Sequence, residues 1–497
     1  MSLAPSPAAP APCAIRCRRV EAVIPVPEKA GGYEREVQSC SQSIARWVTQ
    51  ATFETLPQDV VAATRLRILD VIGLTIAGGT TPFGLAVRRT ADAAPAMRCR
   101  LWGTDRTTSM ASAAFANGAL SQALEYDDTH NESIVHISSP SVAAALALVD
   151  QHGGSGRDLI RAVAIGNEVS SRAGSVAPGQ FHKRGFHPSG LFAPFGVACL
   201  ASAFLGLDER ATVAAQGIVG SFAAGLIQCW VDGTQSKFLH PGWAAQSGIA
   251  AAGLAHEGVT GPSEVYEGRF GLFASHLQDE AAARDYGRLV EGLGTRWDSR
   301  NASFKPYPAA HVIHPYIDAA LRLRERLGLT PAMIARVECP VPPYILGIVL
   351  EPLAEKRRPL TDSHGRVSMQ YTLAEALVLG RLGRDSYSAA SLRDPAILSL
   401  ADRIDYVVDE SLPGPEQFKG VVRIELTTGG VVEDIEEHNR GSLANPMSVA
   451  EITGKFRENV SGTLSDEEAN RLIDLVLDLD AIEDARDVTR AATPGRG

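Results

Sequence analysis

Long stretches of the chain between residue 41 and about residue 300 carry apolar residues at helical spacing and are unusually rich in Ala and Gly. The segment 60–77 shows this period clearly, and the run at 143–149 and the stretch around Leu254 resemble it. Small side chains let neighbouring helices approach closely. We therefore predict a tightly packed helical bundle in which several helices are buried on all sides.

The sequence changes character between about residue 302 and residue 440. Prolines cluster there, and VVRIELTTGGVVEDI alternates apolar and polar residues around Gly429 and Gly430, which is typical of a β-hairpin. Helical patterns return after residue 441, with Ser465 and Glu468 spaced as a capping box. We predict a mostly α protein with a large helical domain, formed by N- and C-terminal segments, and an inserted α+β domain. The predicted parts are a disordered extension at 1–40, the helical domain at 41–301, the inserted domain at 302–440, the returning helical part at 441–486 and a tail at 487–497.

The composition narrows the class of protein. Hydrophobic residues make up 45% and charged residues 21% of the chain, as in ordinary globular proteins, and no uninterrupted apolar run reaches the roughly 18 residues of a membrane span. The formal net charge of -10 disfavours nucleic acid, whose phosphates select basic surfaces. The seven cysteines show neither a disulfide framework nor a Cys-x-x-Cys pair. We expect a soluble cytoplasmic protein with reduced thiols, without nucleic-acid or membrane partners.

The first polar cluster is EYDDTHNESIVHISSP at residues 125–140, between two apolar helical runs. In one interpretation, Asp127 and Asp128 orient His136 or stabilise its charge, so that it titrates near neutral pH. In the other, the segment is a polar interhelical loop whose Asp residues cap the next helix. Both interpretations fit the cluster when it is taken alone.

The second polar cluster is HKRGFHPSG at residues 182–190, where His187 directly precedes Pro188. Proline suits the first turn of a helix, so His187 should lie at a helix N-terminus. Such a position attracts carboxylates and lowers the pKa of a histidine, and Ser189 adds a hydroxyl donor. Alternatively, His187 is a loop histidine that only satisfies backbone carbonyls.

The third polar cluster, residues 232–258, places Lys237 just before an Ala-rich helix that must be buried. A buried ammonium group needs an anion, and either Asp232 or a substrate carboxylate would serve. His240 begins the turn into this helix and should face the same space. The alternative is a solvated lysine that covers the end of the helix, the commoner fate of a lysine.

The fourth polar cluster is FKPYPAAHVIHPYIDAAL at residues 304–321. Lys305 and His314 flank a proline-stiffened turn that leads into a helix, so both are candidates for substrate binding. Alternatively, His314 and Asp318 pair on one face of that helix, since they are four residues apart.

Cofactor motifs do not occur in the sequence. The closely spaced histidine pairs, His182 with His187 and His311 with His314, lack the carboxylate or cysteine neighbours of a metal site. HExxH, a strand-linked GxGxxG, the phosphate loop GxxxxGK[ST] and GxSxG are also absent. We predict chemistry that needs neither a metal nor another cofactor.

In their order and spacing, the four clusters resemble the MmgE/PrpD family, which includes 2-methylcitrate dehydratases, cis-aconitate decarboxylases and an iminodisuccinate epimerase. ILDVIGLTIAG at 68–78, GNEVSSR at 166–172 and RVSMQY at 366–371 support a resemblance that runs from about Ile44 to about Leu479. It implies a helical domain with an α+β lid, a site in the cleft between them, a homodimer and metal-free chemistry.

The resemblance to the cis-aconitate decarboxylase branch also implies functional positions. They fall on Thr129, His136, His187 and Lys237, with Asp127 and Asp128 beside them. The acidic residue two positions before the Asp pair, usually Asp in that branch, is Glu125 in this chain.

We therefore expect a lyase that removes water or carbon dioxide from a small tricarboxylic acid. The catalytic residues would be His136 and His187 as acid and base and Lys237 as the anchor of a carboxylate. The substrate-binding residues would be Asp127, Asp128, Thr129, Ser189, His240, Lys305 and His314. An epimerase of an amino- or imino-dicarboxylate would need the same residue types. In a catalytically silent binding protein, the three catalytic positions would be scattered over separate surfaces.

Overall fold

Helices make up most of the residues that the structure describes, which confirms the predicted mostly α fold class. The computed structural model describes residues 38–93 and 95–495, so the predicted extension at 1–40 lies outside the described residues except at its end. There, the hydroxyl of Ser39 caps the first helix and accepts a hydrogen bond from the amide of Gln42.

The helices are α1 (Cys40–Gln50), α2 (Gln58–Gly78), α3 (Pro82–Asp92), α4 (Met110–Gln122), α5 (Ser138–His152), α6 (Gly156–Gly174), α7 (Gln180–Lys183), α8 (Pro188–Leu205), α9 (Glu209–Val219), α10 (Cys229–Asp232), α11 (His240–His256), α12 (Leu272–Leu277), α13 (Gly287–Val290), α14 (His314–Leu327), α15 (Leu353–Arg357), α16 (Asp362–Arg366), α17 (Met369–Leu379), α18 (Pro395–Ala401), α19 (Val449–Val460), α20 (Asp466–Leu477) and α21 (Arg486–Ala491).

The strands form small sheets. They are β1 (Cys99–Arg100), β2 (Thr107–Thr108), β3 (Thr129–His130), β4 (Ala302–Ser303), β5 (Ile334–Val341), β6 (Ile404–Val408), β7 (Gly420–Leu426) and β8 (Val431–Glu436). The largest sheet has four strands in the order β6-β5-β7-β8, with β5 and β6 parallel and the other pairs antiparallel. The predicted hairpin is β7–β8, and its turn uses positive φ angles of 87° at Gly429 and 91° at Gly430, which glycine adopts without strain.

Buried apolar side chains form two main clusters. The larger one draws on residues 44–302 and again on residues 456–492, because α19 and α20 pack against α2. The smaller one is formed by residues 307–424, around α14, α17 and the four-stranded sheet. The C-terminal helices thus return to the N-terminal part of the chain, and α19 carries Lys455 to the loop that follows α4.

The C-terminal end differs from the predicted tail at 487–497. Arg486–Ala491 form α21, Val488 is buried, and Thr489 Oγ1 donates a hydrogen bond of 2.5 Å to Asp150. Val488 packs into the larger apolar cluster. Because a helix this short has little stability of its own, its order comes from tertiary contacts that the local sequence does not reveal.

Helix α8 lies at the centre of the bundle. It is long and apolar enough to cross a membrane by length and composition, and no other helix among the described residues meets that test. However, 89% of it is buried inside the protein, where it packs against α6, α9 and α11. A helix that is apolar on all sides is also the expected core helix of a bundle.

Helices α4 and α11 approach each other so closely that glycine is required on both sides. A Cβ atom added to Gly118 would lie 2.9 Å from Gly242 Cα, and one added to Gly242 would overlap the carbonyl oxygen of Phe115. Glu125 follows α4 and Lys237 precedes α11. This contact therefore brings the first and third polar clusters together.

We expect Gly242→Ala to lower the melting temperature by several degrees, because the added methyl group overlaps main-chain atoms of α4. Overpacking of this kind costs about 1–3 kcal/mol. The matched control is Gly253→Ala in the same helix, where an added Cβ meets nothing within 4 Å. Since alanine favours the helix over glycine by about 1 kcal/mol, this variant should be at least as stable as the wild type. Scanning calorimetry measures both, and equal melting temperatures would contradict the close-packing argument.

Candidate active site

The loop that follows α4 holds the first polar cluster in an unusual backbone conformation. Glu125 has a φ of 53° and Ile134 a φ of 54°, which is costly for residues other than glycine and most of all for a β-branched one. The carbonyl oxygens of residues 124, 125 and 126 accept hydrogen bonds from Arg366, Lys305 and Lys455 in turn. Three buried cations from distant segments thus hold Glu125 in place.

The carboxylate of Glu125 lies between two ammonium groups. Lys237 Nζ is 2.6 and 2.5 Å from its two oxygens, and Lys305 Nζ is 3.2 Å from one of them. All three residues are buried. Burial raises the pKa of Glu125, but Lys237, Lys305 and His136 lower it by more, so the pKa lies well below its usual value. The anion that compensates Lys237 in the structure is therefore Glu125. Asp232, one of the two anions considered from the sequence, is exposed.

His136 lies beside Glu125 at the far end of the same loop. Its Nδ1 atom is 3.1 Å from Asp127 Oδ1, and its Nε2 atom is 3.9 Å from Glu125 Oε1. Its main-chain amide donates a hydrogen bond of 2.9 Å to Ser189 Oγ. Burial raises the pKa of Asp127, but the proximity of His136 lowers it by more. The carboxylate of Asp127 therefore faces the imidazole at ion-pair distance. Ser189 fixes the backbone of His136 as an acceptor, and its own O–H can still donate.

Asp128 does not hold charge on His136, which corrects the sequence-based prediction. It pairs with Arg67 of α2 and accepts hydrogen bonds from the amide and hydroxyl of Ser138, the first residue of α5. Asp127 faces His136, whereas Asp128 faces Arg67 and Ser138, so only one of the two carboxylates contacts the imidazole. Asp128 instead caps the N-terminus of α5, as the second interpretation of this cluster predicted.

Thr129 lies in β3, which pairs with β4. Its hydroxyl is buried and has no hydrogen-bond partner among the residues that the structure describes. Buried hydroxyl groups in folded proteins nearly always have a partner, so a water molecule or a bound ligand would complete its hydrogen bonding.

His187 and His240 form a pair at the starts of two helices. His187 directly precedes α8, as predicted from Pro188, and His240 is the first residue of α11. Their Nδ1 atoms are 2.8 Å apart, so one donates and the other accepts. Burial and then Lys237 lower the pKa of His240 to about 4. Burial and then His240 hold the pKa of His187 well below its usual value, so the pair is neutral at neutral pH.

His314 is buried at the start of α14 and contacts the proline-rich turn. Its Nε2 atom is 3.1 Å from the carbonyl oxygen of Ala309, and its ring centre is 4.8 Å from that of His311. Burial and then Lys305 hold its pKa well below the usual value. The alternative pairing with Asp318 is wrong, because Asp318 accepts a hydrogen bond of 2.7 Å from Tyr307.

Three further side chains belong to this group of residues, although the sequence analysis did not select them as site residues. Two signals pointed to Glu125: it is the first residue of the acidic run, and it occupies the acidic position of the cis-aconitate decarboxylase branch. His182 and Trp230 lie far apart in the sequence but stack with ring centres 5.7 Å apart. Trp230 also lies 5.9 Å from Lys237 Nζ. No spacing rule links a histidine and a tryptophan that meet only in the folded chain.

The three predicted catalytic residues share one buried cluster. Glu125 contacts both Lys237 and His136, and the rings of His136 and His187 lie 5.7 Å apart. This is the opposite of the scattering that a catalytically silent protein would show. Within residues 38–93 and 95–495, no group of three or more His, Cys, Asp and Glu side chains is placed to hold a metal ion. The cluster can attract an anion, because two ammonium groups face one carboxylate, and its histidines can exchange protons.

The fold and the cluster define a mostly helical protein with a buried group of lysine, histidine and carboxylate side chains. The model of the MmgE/PrpD N-terminal domain matches residues 42–285, and that of the MmgE/PrpD C-terminal domain matches residues 307–481. The chain belongs to the MmgE/PrpD family.

Several curated relatives match nearly the whole chain. The cis-aconitate decarboxylase of Homo sapiens is 28% identical over 470 residues, which cover 91% of this chain and 94% of the relative. The cis-aconitate decarboxylase-like protein oryM of Aspergillus oryzae is 27% identical over 464 residues, covering 90% and 95%. The cis-aconitate decarboxylase of Aspergillus terreus is 27% identical over 467 residues, covering 89% and 94%.

We expect the protein to lose stability as the pH falls from about 6.5 to about 4. The pKa values of His240 and His182 are lowered from 6.5 to about 4 in the folded state, so in this window the unfolded chain binds protons that the folded chain does not. Each such histidine contributes about 1.4 kcal/mol per pH unit. Above pH 6.5 the effect is absent, because both states are then neutral at these positions.

The measurement is the melting temperature at pH 7, 6 and 5. His240→Gln keeps a hydrogen-bonding group toward His187 and should show a shallower pH dependence than the wild type. His256→Gln is the matched control, because His256 is exposed, and it should follow the wild type. Identical slopes for His240→Gln and the wild type would show that His240 already carries a proton in the folded protein.

Proposed function

We propose that this protein is a lyase that acts on a small tricarboxylic acid and removes carbon dioxide or water by proton transfer next to a carboxylate. The observation that carries the proposal is the convergence of two lysines and two histidines on one buried cluster, in a chain of the MmgE/PrpD family. The cis-aconitate decarboxylases among its relatives support this reaction class and a tricarboxylate substrate.

Lys237 and Lys305 would bind one substrate carboxylate. In the structure they share the carboxylate of Glu125, so neither lysine has a carboxylate of its own. A substrate carboxylate would share these donors with Glu125 or replace it on Lys237. Charge-assisted hydrogen bonds of this kind are stronger than neutral ones.

His136 and His187 would move the proton. Asp127 contacts Nδ1 of His136, so the Nε2 side of the ring faces Glu125 and the space around the lysines. A bound polycarboxylate raises the pKa of neighbouring histidines through its negative charge, which would counteract the low pKa of His187 in the free protein. In a dehydration, one histidine takes the proton next to a carboxylate and the other protonates the leaving hydroxyl group. In a decarboxylation, carbon dioxide leaves and a histidine delivers a proton to carbon.

The cationic groups would also stabilise the transition state. When a carbon next to a carboxylate loses a proton or carbon dioxide, negative charge spreads onto that carboxylate as an enediolate-like species. Buried ammonium groups that are already in place stabilise such charge without reorganisation. No step in this scheme calls for a metal ion, so we propose metal-independent chemistry.

We expect purified protein to convert at least one of 2-methylcitrate, citrate and cis-aconitate, and to do so equally well after dialysis against EDTA. Proton NMR in deuterated buffer follows substrate loss and the position of the incorporated deuterium. Failure to convert any of the three acids would contradict the lyase proposal. Deuterium exchange at the α-carbon of an amino-dicarboxylate, without loss of water or carbon dioxide, would indicate an epimerase instead.

We expect Lys237→Ala and His187→Ala to impair the enzyme in different ways. Lys237→Ala removes a contact that is made in the ground state and strengthened in the transition state, so KM should rise strongly and kcat should fall as well. Its fold should persist, because Lys305 still pairs with Glu125. His187→Ala removes a proton carrier, so kcat should fall by about 10²–10⁴-fold with a smaller change in KM.

The matched controls for these variants are Lys183→Ala and His256→Ala, both of which change exposed residues. Steady-state kinetics on the best substrate should show wild-type values for the two controls. Near-normal kcat and KM in Lys237→Ala and His187→Ala, with only a lowered melting temperature, would assign both residues a structural role.

A further inference from the structure

The indole of Trp230 lies against several members of the catalytic cluster. It stacks nearly parallel to the ring of His182, with a centre distance of 5.7 Å and an angle of 14°. Its centre is 5.9 Å from Lys237 Nζ and 6.5 Å from the ring of His187. Neither Trp230 nor His182 has a part in the proposed proton transfer, so their presence beside it needs another explanation.

The polar atoms of these two rings are buried without partners. Trp230 Nε1 and both ring nitrogens of His182 are inaccessible to solvent and have no hydrogen bond to any described residue. An indole nitrogen can only donate, and a neutral imidazole has one donor and one acceptor. The two residues are partly exposed, but these ring nitrogens are covered, and leaving covered polar atoms unsatisfied is costly. Two unsatisfied side chains in mutual contact, next to a buried lysine, indicate a place where a ligand completes the hydrogen bonding.

The missing ligand group is an acceptor with negative charge. Lys237 supplies a positive charge on one face of the indole. Burial, followed by Lys237 and His136, lowers the pKa of His182 to about 4, so at neutral pH it offers an N–H group without adding charge. The donors outnumber the acceptors at this point, and a carboxylate oxygen matches them best.

We propose that Trp230 and His182 form a carboxylate-binding subsite, which holds one carboxylate of a tricarboxylate substrate while Lys237 and Lys305 hold another. This rests on the proposed function for the identity of the substrate. The two positions lie close enough for one small acid to reach both, since the indole centre is 5.9 Å from Lys237 Nζ. An acid places its first carboxylates on the charged lysines, and only a further carboxylate reaches the neutral N–H groups of Trp230 and His182. The subsite therefore favours acids with three carboxylates over acids with two.

The test measures binding of propane-1,2,3-tricarboxylate and of glutarate by isothermal titration calorimetry. Trp230→Phe keeps an aromatic ring but removes the N–H group, and His182→Phe does the same for the imidazole. Each variant should bind the tricarboxylate about tenfold or more weakly, the usual effect of losing a hydrogen bond to a charged group. Glutarate binding should change less than about threefold, because a dicarboxylate fills the charge-assisted lysine positions first.

The matched control is Trp243→Phe. Trp243 lies in the first turn of α11, and its indole N–H donates a hydrogen bond of 2.9 Å to the carbonyl of Phe222, so this variant should bind both acids as the wild type does. Unchanged tricarboxylate binding in Trp230→Phe and His182→Phe would overturn the subsite. Equal weakening of both acids would also overturn it, since that indicates a general loss of site structure.

The outcome is independent of catalysis, because propane-1,2,3-tricarboxylate is used only as a bound probe. If the wild type binds no tricarboxylate, the subsite is wrong even when another acid is turned over. If the probe binds in the expected pattern but no polycarboxylate is converted, the lyase proposal fails and the subsite remains.

Discussion

The ammonium groups of Lys237 and Lys305 are stable inside this protein because the carboxylate of Glu125 lies between them. Buried charges of one sign are costly, and an opposite charge in direct contact compensates for much of that cost. Glu125 reaches this position only with a positive φ angle, which is itself unfavourable for a side chain other than glycine. The site therefore depends on a strained residue that two lysines hold by charge.

The surroundings of Glu125 come from the whole length of the chain. Lys305 follows β4, Arg366 ends α16 and Lys455 lies in α19, yet all three donate to successive carbonyl groups of one loop. The close contact of Gly118 with Gly242 brings Lys237 to the same place. A change in the packing of any of these helices would therefore shift the carboxylate of Glu125. The stability of the fold and the geometry of the site are linked in this way.

Local sequence patterns were sufficient to predict several of these structural elements. The helical period at 60–77 corresponds to α2, the alternation around Gly429 corresponds to the β7–β8 hairpin, and Pro188 marks the start of α8 behind His187. The same kind of reasoning misassigned residues whose partners are remote. Asp128 pairs with Arg67, Asp318 with Tyr307, and α21 forms where a tail was predicted, because each depends on a contact with a distant segment.

By itself, the sequence determined that the chain is mostly helical and that the candidate site residues lie in four clusters typical of MmgE/PrpD proteins, because helical period, turn residues and family motifs are local properties. Only the tertiary structure decided which side chains meet. It paired Lys237 with Glu125 rather than Asp232, His187 with His240, and His182 with Trp230. Charge compensation and ring stacking act through space, so the chain has to fold before these partners are determined.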